Sequence, residues 1–217
     1  MTGQIIIAKI NEIQDYPTLT DWSRGFCESI TEQIEKGRSL SVKQMEVLTK
    51  IFNENTEEEV QKLANWPEEY ELRYSQTGDL LAFYYQNTPY YRPAVSNILA
   101  GNTPERGVFF KMLDNKYAAK IVEESQKRAK YSIGDYVLGN AACQPTHLEA
   151  VDSGRLSRHA YNDFRQRGGF IVGISSMIKS AAKGAKRYKV LPVGSTVSFW
   201  VEERHIKKAP KPKPRNS

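Results

Sequence analysis

Cysteine is scarce: Cys27 and Cys143 are the only two in 217 residues. They are too few and too far apart for a disulfide framework, so a reducing, cytosolic setting is expected. Long apolar runs are missing too. None approaches the roughly 20 residues of a membrane helix. Ile5, Ile6 and Ile7 give way to polar residues too soon for a signal peptide. A cytoplasmic protein with no membrane partner is the expectation. Histidine is also sparse, at three. Cys143, His147 and His159 fall short of the four ligands at paired spacing that a structural zinc site needs, so no metal is expected. Local spacing of Cys143 with either histidine makes no nucleophile–base pair. No Walker or dinucleotide glycine pattern occurs: Gly168 and Gly169 alone read as a turn, and Lys183-Gly184 lacks the upstream glycine. Neither catalytic residues nor a cofactor are expected.

What is present is an uneven charge. The chain carries 31 Lys and Arg against 25 Asp and Glu. Residues 155–217 hold 15 of the basic residues and 3 of the acidic ones, leaving 16 and 22 for residues 1–154. A basic back half points to an anionic partner. A hydrophobic content of 40% suffices for a real core.

Residues 4–10 are apolar without a clear period and fit a short strand or an anchoring arm. Helical signals follow. Thr20 is a good N-cap, and Trp22, Phe26, Ile30 and Ile34 recur every fourth residue until Gly37. Ser41 and Gln44 have capping-box spacing ahead of Val42, Met45, Leu48 and Phe52. Thr56 opens a third helix, with three glutamates in its first turn, and Trp66-Pro67 is expected to end it. A fourth spans 68–88, with Gly78 as a possible kink. Thr88-Pro89 and Thr103-Pro104 look like further openings, with a bend at Pro93. Lys127, Arg128 and Lys130 suit the negative end of the last helix's dipole. At Tyr131 the period changes to alternation. About five short strands are expected over 131–207, with a long insertion at 140–168 in which 148–164 could hold a short helix. Gly194-Ser195 is a plausible hairpin turn. Residues 209–217, APKPKPRNS, are expected to be flexible. The reading is α+β: a helical domain at 1–130, a sheet domain at 131–208 and a tail.

The run "GDYV", "GGFIVGI", "RYKVL", "STVSFWVEE" and "RHIK" resembles a small SH3-like barrel of the KOW, Tudor and chromo-barrel kind, over about a third of the chain. The resemblance implies a binding module, with Gly134-Asp135 at the turn before the first strand and Glu202, Glu203 and Arg204 at a helical turn before the last. The front half resembles small uncharacterised proteins of large tailed phages in "LSVKQ" and "FFKMLDNKYAAKI", which would imply a host-cytoplasmic protein.

Basic residues and aromatics supply the candidate site. Arg155, Arg158, Arg165 and Arg167 accompany Tyr161 and Phe164 in the insertion. Lys179, Lys183, Lys186 and Arg187 fill the next loop, and Lys207 and Lys208 precede the tail, which adds Lys211, Lys213 and Arg215. On one barrel face they would track phosphates, with DNA or RNA as partner and little sequence specificity. Tyr161 and Phe164 would either stack on bases or belong to the core. Tyr84, Tyr85, Tyr90 and Tyr91 form a second aromatic cluster, either a docking surface or a helix interface. The alternative is an adaptor whose barrel binds a peptide or an acidic subunit. Under either, the helical half could hold a protein partner.

Overall fold

A computed structural model describes residues 2–151 and 158–209, apart from the side chain of Arg158. Arg155 and the tail cations Lys211, Lys213 and Arg215 lie outside the described residues. The fold is α+β, in two compact units, Met1–Arg73 and Tyr74–Ser217. The expected boundary at Tyr131 therefore marks a change from helix to sheet inside the second unit.

The first unit is helical: α1 (Gly3–Ile13), α2 (Asp21–Glu35), α3 (Val42–Glu54) and α4 (Glu57–Glu69). The caps at Thr20 and Thr56 form as expected, and Ser41 and Gln44 close a full capping box. Residues 4–10 are not a strand or arm. They belong to α1, because Ile6, Ile10 and Ile13 fall at helical spacing and bury together against Cys27, Ile30, Leu48, Ile51 and Phe52. Trp22 stays exposed, stacked on Phe26 at 5.4 Å. Pro67 does not stop α4, which runs on to Glu69 and into a π-helical turn at Tyr70–Tyr74.

The second unit begins with α5 (Ser75–Tyr85), α6 (Arg92–Leu99), α7 (Arg106–Leu113) and α8 (Lys116–Gln126). Thr88 and Thr103 do not cap: α6 starts beyond Tyr91 and α7 beyond Glu105. Six strands follow, with one helix among them: β1 (Tyr136–Gly139), β2 (Leu148–Ala150), α9 (Arg158–Arg167), β3 (Gly169–Ser175), β4 (Arg187–Pro192), β5 (Phe199–Glu202) and β6 (Ile206–Lys208). They pair antiparallel in the order β2-β5-β4-β3-β1-β6, an open sheet among the described residues. The insertion thus adds an edge strand as well as a helix. Alternation along β4 and β5 turns Tyr188, Val190, Phe199 and Val201 to one face, where they meet Val137 and Ile171. α9 covers that face. Phe164 is fully buried and meets Phe199 edge-on at 5.1 Å, a contact of about 0.5–1.5 kcal/mol beyond its area. A 3₁₀ turn at Glu203–His205 carries the chain from β5 to β6. Gly134-Asp135 makes the turn before β1, where Asp135 accepts the Ser132 N–H at 2.9 Å. Among the described residues no helix is long and apolar enough to cross a membrane.

Candidate nucleic-acid interface

The C-terminal end of α8 meets the 183–186 segment through buried charges. The Glu124 carboxylate accepts the Gly184 N–H and the Lys127 ammonium, each at 2.7 Å. Burial alone would raise its pKa. The Lys127 ammonium and the Gly184 and Ala185 N–H groups outweigh that and hold it below the usual carboxylate range. Lys186 is itself buried, and its ammonium donates to the carbonyls of Ser125, at 3.0 Å, and Lys127. It thereby satisfies carbonyls that the helix end leaves open. The 3₁₀ turn joins from the other side: Arg204 N–H donates to Gly184 O at 3.0 Å and Asn140 Nδ2 donates to Arg204 O at 2.6 Å.

These contacts shape a groove of about 510 Å³ whose lining carries six basic residues (Lys127, Arg128, Lys130, Lys183, Lys186 and Arg204) and two acidic ones, Glu124 and Glu203. Internal pairing uses part of that charge. Lys127 pairs with Glu123 and Glu124, and Arg204 with Glu202. Lys130 sits over the Tyr131 ring. Arg128 and Lys183 are exposed and have no acidic partner among the described residues.

Of the ten expected site residues, Lys183 and Lys186 line this groove, Lys186 as a structural tie. Arg187 is buried, paired with Glu149 at 2.7 Å and sandwiched against Phe83 and Trp200. Desolvation lowers its pKa, against the pull of Glu149 and Glu202. Lys179 also pairs with Glu149. Arg165 and Arg167 lie in the last turn of α9, and Lys207 and Lys208 on edge strand β6, where Lys208 meets Asp135 at 3.3 Å. Arg158 opens α9. Tyr161 and Phe164 are buried core residues, so they present no ring to a base. In the sequence Lys127, Arg128 and Lys130 complement a helix dipole; their charge is visible there, but not that Lys183 and Arg204 come to meet them.

A smaller polar cavity of about 230 Å³ lies beside β5, lined by His147, Glu149, Lys179, Arg187, Glu202 and His205 among others. Burial raises the Glu202 carboxyl, partly offset by Arg204, Arg187 and His147. The Cys143 thiol is pushed up by burial, against Arg165, which disfavours the thiolate a nucleophile needs. Among the described residues no group of three His, Cys, Asp or Glu side chains could hold a metal ion. The chain matches no protein-family model, no curated protein and no solved structure.

Proposed function

We propose that the chain is a non-catalytic nucleic-acid-binding accessory protein with little sequence specificity, which holds a phosphate backbone in the groove between α8, residues 183–186 and the 3₁₀ turn. The observation that carries this reading is the six-to-two basic lining, with Arg128 and Lys183 exposed at its rim. Lys and Arg bound to phosphates release counterions, which gives affinity without base readout. An SH3-like barrel is part of the proposal. The order β5-β4-β3-β1-β6, with a 3₁₀ turn between β5 and β6, supports it, and β2 then extends the edge. A phage origin and a host-cytoplasmic setting rest on the sequence likeness.

The test is fluorescence anisotropy of the full chain on single- and double-stranded DNA and RNA. If Arg128, Lys130 and Lys183 each meet a phosphate, affinity falls about fortyfold between ~50 and ~200 mM salt. Changing Arg128, Lys130 and Lys183 to Ser should remove most of that slope. These side chains are exposed, so folding should persist. Absence of binding at ~50 mM salt would refute the proposal.

One observation favours an adaptor instead. Phe170, Val172 and Ile174 of β3 are each more than a third exposed, an apolar row that a protein partner could cover. Salt-insensitive capture of one acidic or apolar protein, without nucleic-acid binding, would select that reading.

A further inference from the structure

The cluster of tyrosines in the second unit is neither a closed helix interface nor an open surface. Tyr84 and Tyr85 end α5, Tyr90 and Tyr91 lie in the link to α6, and Tyr117 stands in the first turn of α8. The five rings line a cavity of about 360 Å³, and no charged side chain lines it among the described residues. Its floor is Tyr85, 4% exposed; its rim is Tyr90, 64% exposed, and Tyr117, 47% exposed.

The surrounding hydrogen bonds hold the walls in place. Thr88 donates through both its N–H and its hydroxyl to the Tyr85 carbonyl, at 2.8 and 2.9 Å. The Tyr91 hydroxyl donates to Lys111 O at 3.2 Å. Asn115 caps the Tyr117 N–H at 2.9 Å. Two further observations are unlike ordinary packing. Tyr91 has φ 54° and ψ 26°, and no other non-glycine among the described residues has positive φ. Such backbone is disfavoured for a residue with a side chain and concentrates at ligand clamps. The Tyr85 hydroxyl is buried with no hydrogen-bond partner among the described residues, an unmet polar group of a kind rare in finished cores. Burial, then Tyr91 and Tyr84, push its pKa up to about 12, so it stays neutral.

Ring orientation selects the ligand. Tyr84 and Tyr91 stand at 68° and 75° to Tyr85, with centroids 4.7 and 5.1 Å away. A flat base needs parallel faces. Faces set steeply to a central ring, as those of Tyr84 and Tyr91 are to Tyr85, instead suit a rounded cation, which a ring's electron-rich face attracts. The rim already makes that interaction once: Lys116 Nζ lies 5.1 Å from the Tyr117 centroid.

We propose that this tyrosine box is a binding site for an alkylammonium group, carried either by a small molecule or by a methylated lysine of a protein partner. The site is separate from the basic groove and does not depend on the nucleic-acid reading. The experiment is a titration of the full chain, with ring-labelled tyrosines, followed by NMR. Choline is the probe, and 3,3-dimethylbutan-1-ol is its uncharged isostere. Choline should shift the rings of Tyr84, Tyr85 and Tyr91 and bind about tenfold more tightly than the isostere. Tyr90→Phe should keep that preference and Tyr90→Leu lose it, with the fold intact because Tyr90 is largely exposed. Tighter binding of a peptide with trimethyl-lysine than of choline would identify a protein side chain as the source; equal binding would identify a free amine. Equal affinity for choline and its isostere, tighter binding of adenosine than of choline, or no ring shifts would each overturn the proposal.

Discussion

The imidazole rings of His147 and His205 lie face to face, 3.8 Å between centroids and 16° from parallel. His147 Nδ1 accepts the Gln144 N–H at 3.1 Å, which requires that nitrogen to be unprotonated. His205 is buried, its Nδ1 has no partner among the described residues, and its Nε2 is 3.9 Å from Glu202 Oε2. Burial first, then His147 and Arg204, hold the His205 pKa below its usual 6.5. The unfolded chain therefore takes up a proton at this residue before the folded one does. Its contribution to stability is present above pH ~6.5 and is lost as pH falls from there to the folded value. Glu202 acts oppositely. Its raised pKa makes the folded state the better proton acceptor, so its effect relieves part of the loss at acid pH. Urea unfolding at pH 7.5 and 5.5 should show a drop in stability that His205→Leu reduces. An equal drop in both proteins would show that His205 does not carry it.

Glu124 joins α8 to the groove, and the same carboxylate holds Gly184 next to Lys183. Glu124→Ala should cost about 1.5–3 kcal/mol, the usual range for hydrogen bonds to a charged group. Because the folded pKa of Glu124 is depressed, its stabilisation is present above the usual carboxylate value of 4.5 and is lost as pH falls through the folded value. Denaturant melts of the wild type and Glu124→Ala should therefore converge in strongly acid solution. If the two stay equally far apart from pH 7 to pH 3, the charged form of Glu124 is not what stabilises the junction.

The caps at Thr20, Ser41 and Thr56 were readable because each is written in four consecutive residues, whereas Thr88 and Thr103 carry a similar local signal and cap nothing. Ser41 and Gln44 need nothing from the rest of the chain to close their box. The strand pattern from Tyr136 to Val201 was readable for a similar reason, since alternation is local. α1 was hidden because Ile5 and Ile7 flank Ile6 and blur the helical spacing of Ile6, Ile10 and Ile13. β2 is three residues long and gains its identity only from pairing with β5. The groove could not be read at all. It joins residues 124–130, 140, 183–186 and 203–206, and which cations stay free depends on which acids fold against them. Arg187 looks like Arg128 in the sequence; Glu149 takes the charge of one and not of the other.

Phe164 separates a core role from a base-stacking role. It is fully buried against Phe199. Phe164→Ala should destabilise the sheet unit by about 3–5 kcal/mol, the range for emptying a buried aromatic site. Phe164→Leu should cost less and leave nucleic-acid affinity unchanged in the folded protein. A Phe164→Leu protein of near-native stability that binds nucleic acid tenfold more weakly would return this ring to the interface.

Gly168 links α9 to β3 with φ +70°, and a Cβ there would sit 2.6 Å from Val137 O and 3.0 Å from Tyr136 Cζ. Gly37 has nearly the same φ, +71°, but nothing within 4 Å of its missing Cβ. The pair separates backbone strain from steric conflict. Gly37→Ala should cost about 1–2 kcal/mol, the penalty of left-handed backbone alone. Gly168→Ala should cost more, because the chain must also draw back from a β1 carbonyl, and Val193 N–H, which donates to Gly168 O at 3.0 Å, moves with it. Thermal or urea melts of the two variants measure the difference directly. Equal losses would mean that β1 yields freely at this junction and that the packing of α9 against the sheet is softer than these distances imply.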